Sequence, residues 1–290
     1  MANLKEIRNR IASVTSTRQI TSAMKMVSAA KLRKSQSAII QLRPYVKMMS
    51  EITLRLLHTD RDVPFLRSNK GEEKILLLVL TSNKGLCSVF NSSIVKLAKK
   101  RINECSKEGK KIFVKSFGKR GDSSLKAIEG IEYLGSDDGI WDSLNFDNVS
   151  SIAEELVREY QTESYDRIEI IYNQFKNAAV QEPVVQTFLP FNLESNSHQK
   201  ELKAENNYIF EPNKERILQS VIPLYLNTLL YKCFLDSFTS EHGARMSSMN
   251  KATDNAQELL NDLTLTYNKL RQAGITNEII EICGGANALS

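Results

Sequence analysis

Long apolar runs are missing from this sequence. The longest is Ile75-Leu76-Leu77-Leu78-Val79-Leu80, whereas a bilayer-spanning helix needs about 20 such residues. The start, Met1-Ala2-Asn3-Leu4-Lys5-Glu6, has no charged n-region followed by an apolar stretch, which argues against a secretory signal. Helical heptads already begin at Leu4, so no organellar transit peptide is expected either. Cysteine is sparse: Cys87, Cys105, Cys233 and Cys283 show neither CxxC nor metal-ligand spacing, and His58, His198 and His242 are scattered. That pattern gives no metal cluster and implies reduced cysteines in a cytoplasmic protein. Phosphate loops are lacking as well. The turn Thr81-Ser82-Asn83-Lys84-Gly85-Leu86-Cys87-Ser88-Val89-Phe90-Asn91 contains one glycine, and neither G-x-x-x-x-G-K-[ST] nor G-x-G-x-x-G occurs. It reads as a structural turn with Cys87 as a packed thiol. Phe117-Gly118-Lys119-Arg120-Gly121-Asp122 reads as a strand-to-helix turn, and Asp137-Asp138 stands without metal-ligand partners. No set of residues makes a nucleophile, base and orienter. The expectation is a non-catalytic chain without a cofactor.

Charge is present but unevenly placed. The net charge is +5 over 290 residues. Residues 1–50 carry Lys5, Arg8, Arg10, Arg18, Lys25, Lys31, Arg33, Lys34, Arg43 and Lys47 against Glu6 alone. A solvated helix face normally alternates signs. A face of nearly one sign points to an acidic partner.

The two ends carry the strongest periodicity. Leu4, Ile7, Ile11 and Val14 follow the 3-4-3 spacing of a coiled-coil seam, which resumes at Ile39, Leu42, Val46, Met49, Thr53 and Leu56. Between them, Arg18 and Thr21 occupy core slots, and a small-residue stretch runs from Ser22 to Ala30. The interruption at Arg18 predicts contact with another chain. Near the other end, Ile217, Val221, Leu224, Thr228, Tyr231 and Leu235 form one seam. Met249, Ala252, Ala256, Leu260, Leu263, Tyr267 and Leu270 form another. Pro44 and Pro223 are expected to kink or split these helices, and Gly284-Gly285 to end the second. At 1.5 Å per residue, helices over 4–58 and 213–286 are roughly 80 and 110 Å long. Such lengths imply a coiled coil, and partners at opposite ends of one chain close most simply as an antiparallel pair.

The middle alternates. Strands are expected at 74–81, 111–117, 167–173 and 184–189, and helices at 93–108, near 123–129 and at 148–163. Alternation predicts a mostly parallel sheet covered on both faces. The fold class is therefore α/β plus long α: an antiparallel coiled coil with an inserted Rossmann-like α/β domain. The expected domains are the helix 1–58, the α/β domain 70–207 and the helix 213–286.

Motifs then add a family. Ile275-Thr276-Asn277-Glu278-Ile279-Ile280-Glu281-Ile282-Cys283-Gly284-Gly285-Ala286 resembles the C-terminal signature of the γ subunits of F-type ATP synthases. Glu6-Ile7-Arg8, Ile11-Ala12-Ser13-Val14, Ile20-Thr21, Ala23-Met24, Met26-Val27 and Lys34-Ser35-Gln36 match that family in register. So do Gly85-Leu86-Cys87, Ala244-Arg245-Met246, Ala252-Thr253-Asp254-Asn255-Ala256 and Tyr267-Asn268-Lys269. The chain departs at Ser88-Val89, where the family usually has a glycine pair. The resemblance implies a central-stalk rotor whose partners are the α and β subunits of the head, the ε subunit and the c-subunit ring. It implies that Arg271, Gln272, Thr276 and Glu278 contact the β catch loops. By the same matching, Met24 and Lys25 face the β lower lobe, and Tyr208, Phe210 and Glu211 touch the c ring. A bacterial protein peripheral to the cytoplasmic face of the inner membrane is expected, with no transmembrane segment of its own.

Two other classes compete. A basic coiled-coil protein associated with nucleic acid would use the N-terminal face, but no aromatic residue interleaves the basic run. A metabolic enzyme on the central domain lacks a cofactor loop.

Overall fold

The computed structural model describes residues 4–58, 73–190 and 214–289. Its elements are α1 (Leu4–His58), β1 (Lys74–Leu80), α2 (Phe90–Lys107), β2 (Lys111–Phe117), α3 (Lys119–Lys126) and β3 (Glu132–Asp137). They continue with a 3-10 turn (Gly139–Trp141), α4 (Phe146–Gln161), β4 (Arg167–Phe175), β5 (Gln181–Leu189) and α5 (Lys214–Leu289). The chain divides into two compact units, Ala30–Ala244 and the two terminal segments up to Ala29 and from Arg245 onward.

In the larger unit the strand order is β3-β2-β1-β4-β5. β3, β2, β1 and β4 are parallel, and β5 runs antiparallel to β4. β1 is central, which explains its unbroken apolar run: both of its faces are covered. Alternate side chains point to opposite faces. Ile75, Leu77 and Val79 meet Ile94, Ala98, Ile102 and Cys105 of α2 and Leu125 of α3. Leu76, Leu78 and Leu80 meet Val149, Ala153 and Leu156 of α4. That second face also receives Val46 and Leu56 of α1 and Leu218, Ile222, Leu226, Leu230 and Phe234 of α5. Phe117 and Phe234 meet edge to face at 5.0 Å. The inner stretches of the two long helices are thus part of the sheet's own core.

Four local expectations change. β3 was not visible as a strand, because Glu132–Asp137 is a half-exposed edge interrupted by Gly135 at φ +108. α3 begins at Lys119, earlier than its apolar residues suggest, since Gly118 at φ +112 turns the chain directly out of β2. A Cβ at Gly118 would lie 2.3 Å from the Thr81 carbonyl oxygen, so only glycine fits. Neither proline ends its helix: α1 runs through Pro44 and α5 through Pro223. Interior proline costs about 3 kcal/mol, and the packing of Ile39 and Val46 around one and Ile222 and Leu226 around the other offsets it. α5 also continues through Gly284-Gly285, which nothing in the structure explains.

The smaller unit pairs α1 and α5. Arg8 donates to the Tyr267 hydroxyl (2.9 Å), Arg18 to Gln257 Oε1, Thr253 to the Thr21 hydroxyl (2.9 Å) and Lys25 to Asn250 Oδ1 (2.5 Å). Each step up α1 is matched by an equal step down α5, which makes the pair antiparallel and in register. Ile7, Met249, Ala256 and Leu260 are buried in the seam. The polar slots at Arg18 and Thr21 therefore have partners within the chain, and polar seam residues of this kind fix register. This corrects the reading of Arg18 as aimed at another protein.

Candidate functional surfaces

An open α/β sheet binds its ligands at the carboxyl ends of the strands, where the strand order reverses. Here that point lies between β1 and β4, beside the loop from Thr81 to Asn91. The loop is closed by its own side chains. The Ser82 N–H donates to Asn91 Oδ1 (2.9 Å), and the Ser82 hydroxyl donates to the Lys84 carbonyl (2.7 Å). Asn91 Nδ2 donates to Ser82 Oγ (2.8 Å) and Cys87 Sγ (3.2 Å). Cys87 is buried against Phe90 and Ala244 of α5. Asn173 at the end of β4 donates to the Phe90 carbonyl (3.1 Å), and the Ser240 hydroxyl donates to the Asn173 carbonyl (3.1 Å). Among the described residues no cluster of His, Cys, Asp or Glu is placed to hold a metal ion.

The loop holds two residues at positive φ, Leu86 at +61 and Ser88 at +53. The left-handed region costs a non-glycine residue about 1–2 kcal/mol, so Ser88 occupies a position that glycine would take without strain. Ser88→Gly is expected to stabilise the fold by about 0.5 kcal/mol, the relief being offset by the looser unfolded chain. The urea midpoint measures it, and a lower midpoint would contradict the strain.

Two buried carboxylates tie helices to the sheet. Glu169 on β4 accepts from Arg101 Nε and Nη2, both at 2.7 Å, and pairs with Arg167 at 2.7 Å. Those hydrogen bonds hold the Arg101 guanidinium above its ordinary pKa. Asp236 on α5 meets Arg43 of α1 at 3.0 Å and Lys232 at 3.3 Å, with its side chain fully buried. Arg43 also donates to the Phe175 carbonyl, and Lys232 to the Tyr172 hydroxyl at 2.8 Å. Neighbouring Cys233 is completely enclosed, and burial pushes its thiol up to about 11.

The residues singled out from the sequence fall in different settings. Arg271, Gln272, Thr276 and Glu278 are all exposed on α5. Helical spacing puts Arg271 with Glu278, and Gln272 with Thr276, on adjoining sides. Beyond Gly274 every residue to Ala286 is exposed, including Ile275, Ile279, Ile280 and Ile282, which are 48–71% accessible. Met24 and Lys25 are half-buried, and the Lys25 ammonium is engaged by Asn250. The exposed apolar side chains there are Ile20, Met26 and Val27. Tyr208, Phe210 and Glu211 lie outside the described residues. A second basic segment escaped the sequence reading: residues 84–126 hold twelve Lys and Arg against Glu104, Glu108 and Asp122. It is invisible in a charge averaged over everything after residue 50, but a sliding window would have found it.

Comparison with known proteins follows the fold. A family model described as ATP synthase matches residues 3–289. The chain is 50% identical over 297 residues to the ATP synthase gamma chain of Flavobacterium johnsoniae, covering 100% of both chains. It is 47% identical over 292 residues to that of Christiangramia forsetii, again covering 100% of both. Among solved structures it resembles a chain of the Tetrahymena thermophila mitochondrial ATP synthase central stalk and c ring. The TM-score is 0.58 at 28% identity, covering 80% of this chain and 99% of that one. In fold it also resembles a chain of the Euglena gracilis mitochondrial ATP synthase rotor, with TM-score 0.62 at 20% identity, covering 94% of this chain and 98% of that one.

Proposed function

The chain belongs to the family of ATP synthase γ chains, central-stalk rotor subunits of that complex, and from this premise we propose how it acts and what it touches. It is a non-catalytic rotor that couples proton-driven rotation of the c ring to the conformational cycle of the catalytic β subunits. It sits peripherally at the cytoplasmic face of the bacterial inner membrane. Among the described residues no helix is long and apolar enough to cross a membrane.

The observation that carries this reading is the C-terminal end of α5. Ile275, Ile279, Ile280 and Ile282 stand in solvent, beyond the Arg8–Tyr267 pair. Exposed apolar surface of that kind marks an interaction site. A cavity formed by the α and β subunits would shelter it, and Arg271, Gln272, Thr276 and Glu278 just beside it would meet the β catch loops. The same helix packs Leu218, Ile222, Leu226 and Leu230 into the core of the α/β unit. Because a ligand or partner shifts an equilibrium only through unequal contacts with its states, the asymmetric tip biases one β subunit at a time.

Near the α1 end, Met24 and Lys25 lie toward the β lower lobe. With Lys25 held by Asn250, exposed Met26 and Val27 supply apolar area to the same contact. Tyr208, Phe210 and Glu211 reach the c ring beside the ε subunit. The nucleic-acid alternative has no comparable support, since the family match spans residues 3–289.

An affinity-tagged chain recovered from mildly solubilised membranes is expected to bring α, β, ε and c subunits with it. The isolated, contaminant-free chain is expected to show no ATP turnover. Turnover by the chain alone, or recovery without β and c subunits, would overturn the reading.

A further inference from the structure

The α2 helix of the α/β unit has a face that neither the fold nor the proposed rotor contacts use. Its inner side, Ile94, Ala98, Ile102 and Cys105, is buried on the sheet. At 100° per residue, Lys96, Lys99, Lys100, Asn103 and Lys107 all fall within about 100° of one another on the opposite side. All five are exposed. Lys100 has only a 4.0 Å contact with Glu104, and Lys96, Lys99 and Lys107 take part in no ion pair among the described residues. Arg101, by contrast, is turned inward onto Glu169. The basic stripe runs ~16 Å along the helix.

From this arrangement we infer that the outer face of α2 is a docking surface for an anionic phospholipid surface. Three features favour lipid headgroups over an acidic protein. The stripe is built of lysine alone, a mobile point charge, where bidentate recognition of fixed carboxylates favours arginine. It contains no aromatic or large apolar anchor, and protein interfaces depend on such residues at their centre. Its charges lie on one side of a straight helix, so a plane of headgroups meets all of them together.

The N-terminal basic run differs on this last point. Lys31 and Arg33 lie about 160° apart around α1, and Arg8, Arg18, Lys25 and Arg43 already have partners within the chain. Residues 84–126 match residues 1–50 in net charge, but only the α2 lysines among them lie together on one side of a helix. The inference does not depend on the c-ring contact proposed above.

The test uses the full-length chain in vesicle co-sedimentation at low salt, with vesicles of phosphatidylcholine alone or containing 30% phosphatidylglycerol (a composition fixed by the experiment, about one anionic lipid in three). Each lysine near an anionic surface contributes on the order of fivefold to partitioning. Binding to the anionic vesicles is expected, with little to the neutral ones. The Lys96→Glu, Lys99→Glu, Lys107→Glu variant is expected to bind at least ~tenfold more weakly. A Lys31→Glu, Arg33→Glu, Lys34→Glu variant carries the same change in net charge and is expected to keep most of the binding. Circular dichroism should find both variants folded, since all six side chains are exposed. Equal losses in the two variants would reduce the effect to net charge and overturn the inference. So would undiminished binding by the α2 variant, equal binding to neutral vesicles, or binding to soluble heparin without binding to anionic vesicles.

Discussion

Asp236→Ala is expected to destabilise the α/β unit by about 3 kcal/mol, near the lower end of the range for leaving a buried charge unpaired. The Asp236 carboxylate is fully buried and is the common partner of Arg43 and Lys232. Removing it leaves two cations facing each other. Arg43 is 39% exposed and can turn toward water, which moderates the cost. Lys232 is only 14% exposed and retains just the Tyr172 hydroxyl. The loss should come from charge imbalance and not from lost volume. Replacing all three groups together, Arg43→Met, Lys232→Met and Asp236→Ala, should therefore recover most of the stability, because an apolar substitute for a buried ion cluster is often neutral or better. Urea denaturation followed by circular dichroism measures both. A single Asp236→Ala loss under 1 kcal/mol would show that water reaches the cluster and the burial is not decisive. The cluster joins α1, α5 and the end of β4 within the larger unit, so weakening it loosens the packing of both helices on that sheet.

The second large effect is expected in coupling. Charge-assisted hydrogen bonds contribute about 1.5–3 kcal/mol each. If Arg271 and Gln272 reach the β catch loops, the double change Arg271→Ala, Gln272→Ala should lower proton-driven ATP synthesis by roughly tenfold or more. Assembly should survive. Both side chains are exposed, while the seam below them is held by Leu260, Leu263, Tyr267 and Leu270. Leu260→Asp should do the reverse, placing an unpaired carboxylate in a buried seam position and lowering the amount of assembled complex. Membranes from each mutant, assayed for bound α and β subunits and for ATP synthesis, separate the two outcomes. Full synthesis by the double mutant would remove these residues from the coupling contact.

Much of the architecture is legible in the primary structure because it depends on local repeats. The 3-4 spacing from Leu4 and again from Met249 determines two long amphipathic helices, since neighbours on a helix face are three or four residues apart. The run Ile75–Leu80 determines a strand buried on both sides, and the motifs around Gly284 and Ala252 determine the family. Signals of this kind need no knowledge of what lies across the fold.

What only tertiary structure decided concerns residues distant in sequence. β3 exists because β2 offers its free edge, although Glu132–Asp137 has no strand pattern of its own. Pro44 and Pro223 are tolerated because packing against the sheet offsets a lost backbone bond. Arg18, Lys25 and Arg43 look alike in a basic segment. Yet Gln257, Asn250 and Asp236, each nearly two hundred residues or more away, engage them. Lys96, Lys99 and Lys107 have no such partner among the described residues. Periodicity specifies which face of a helix a charge occupies. Whether that charge is used inside the chain or left for another surface depends on which distant segment the fold brings opposite it.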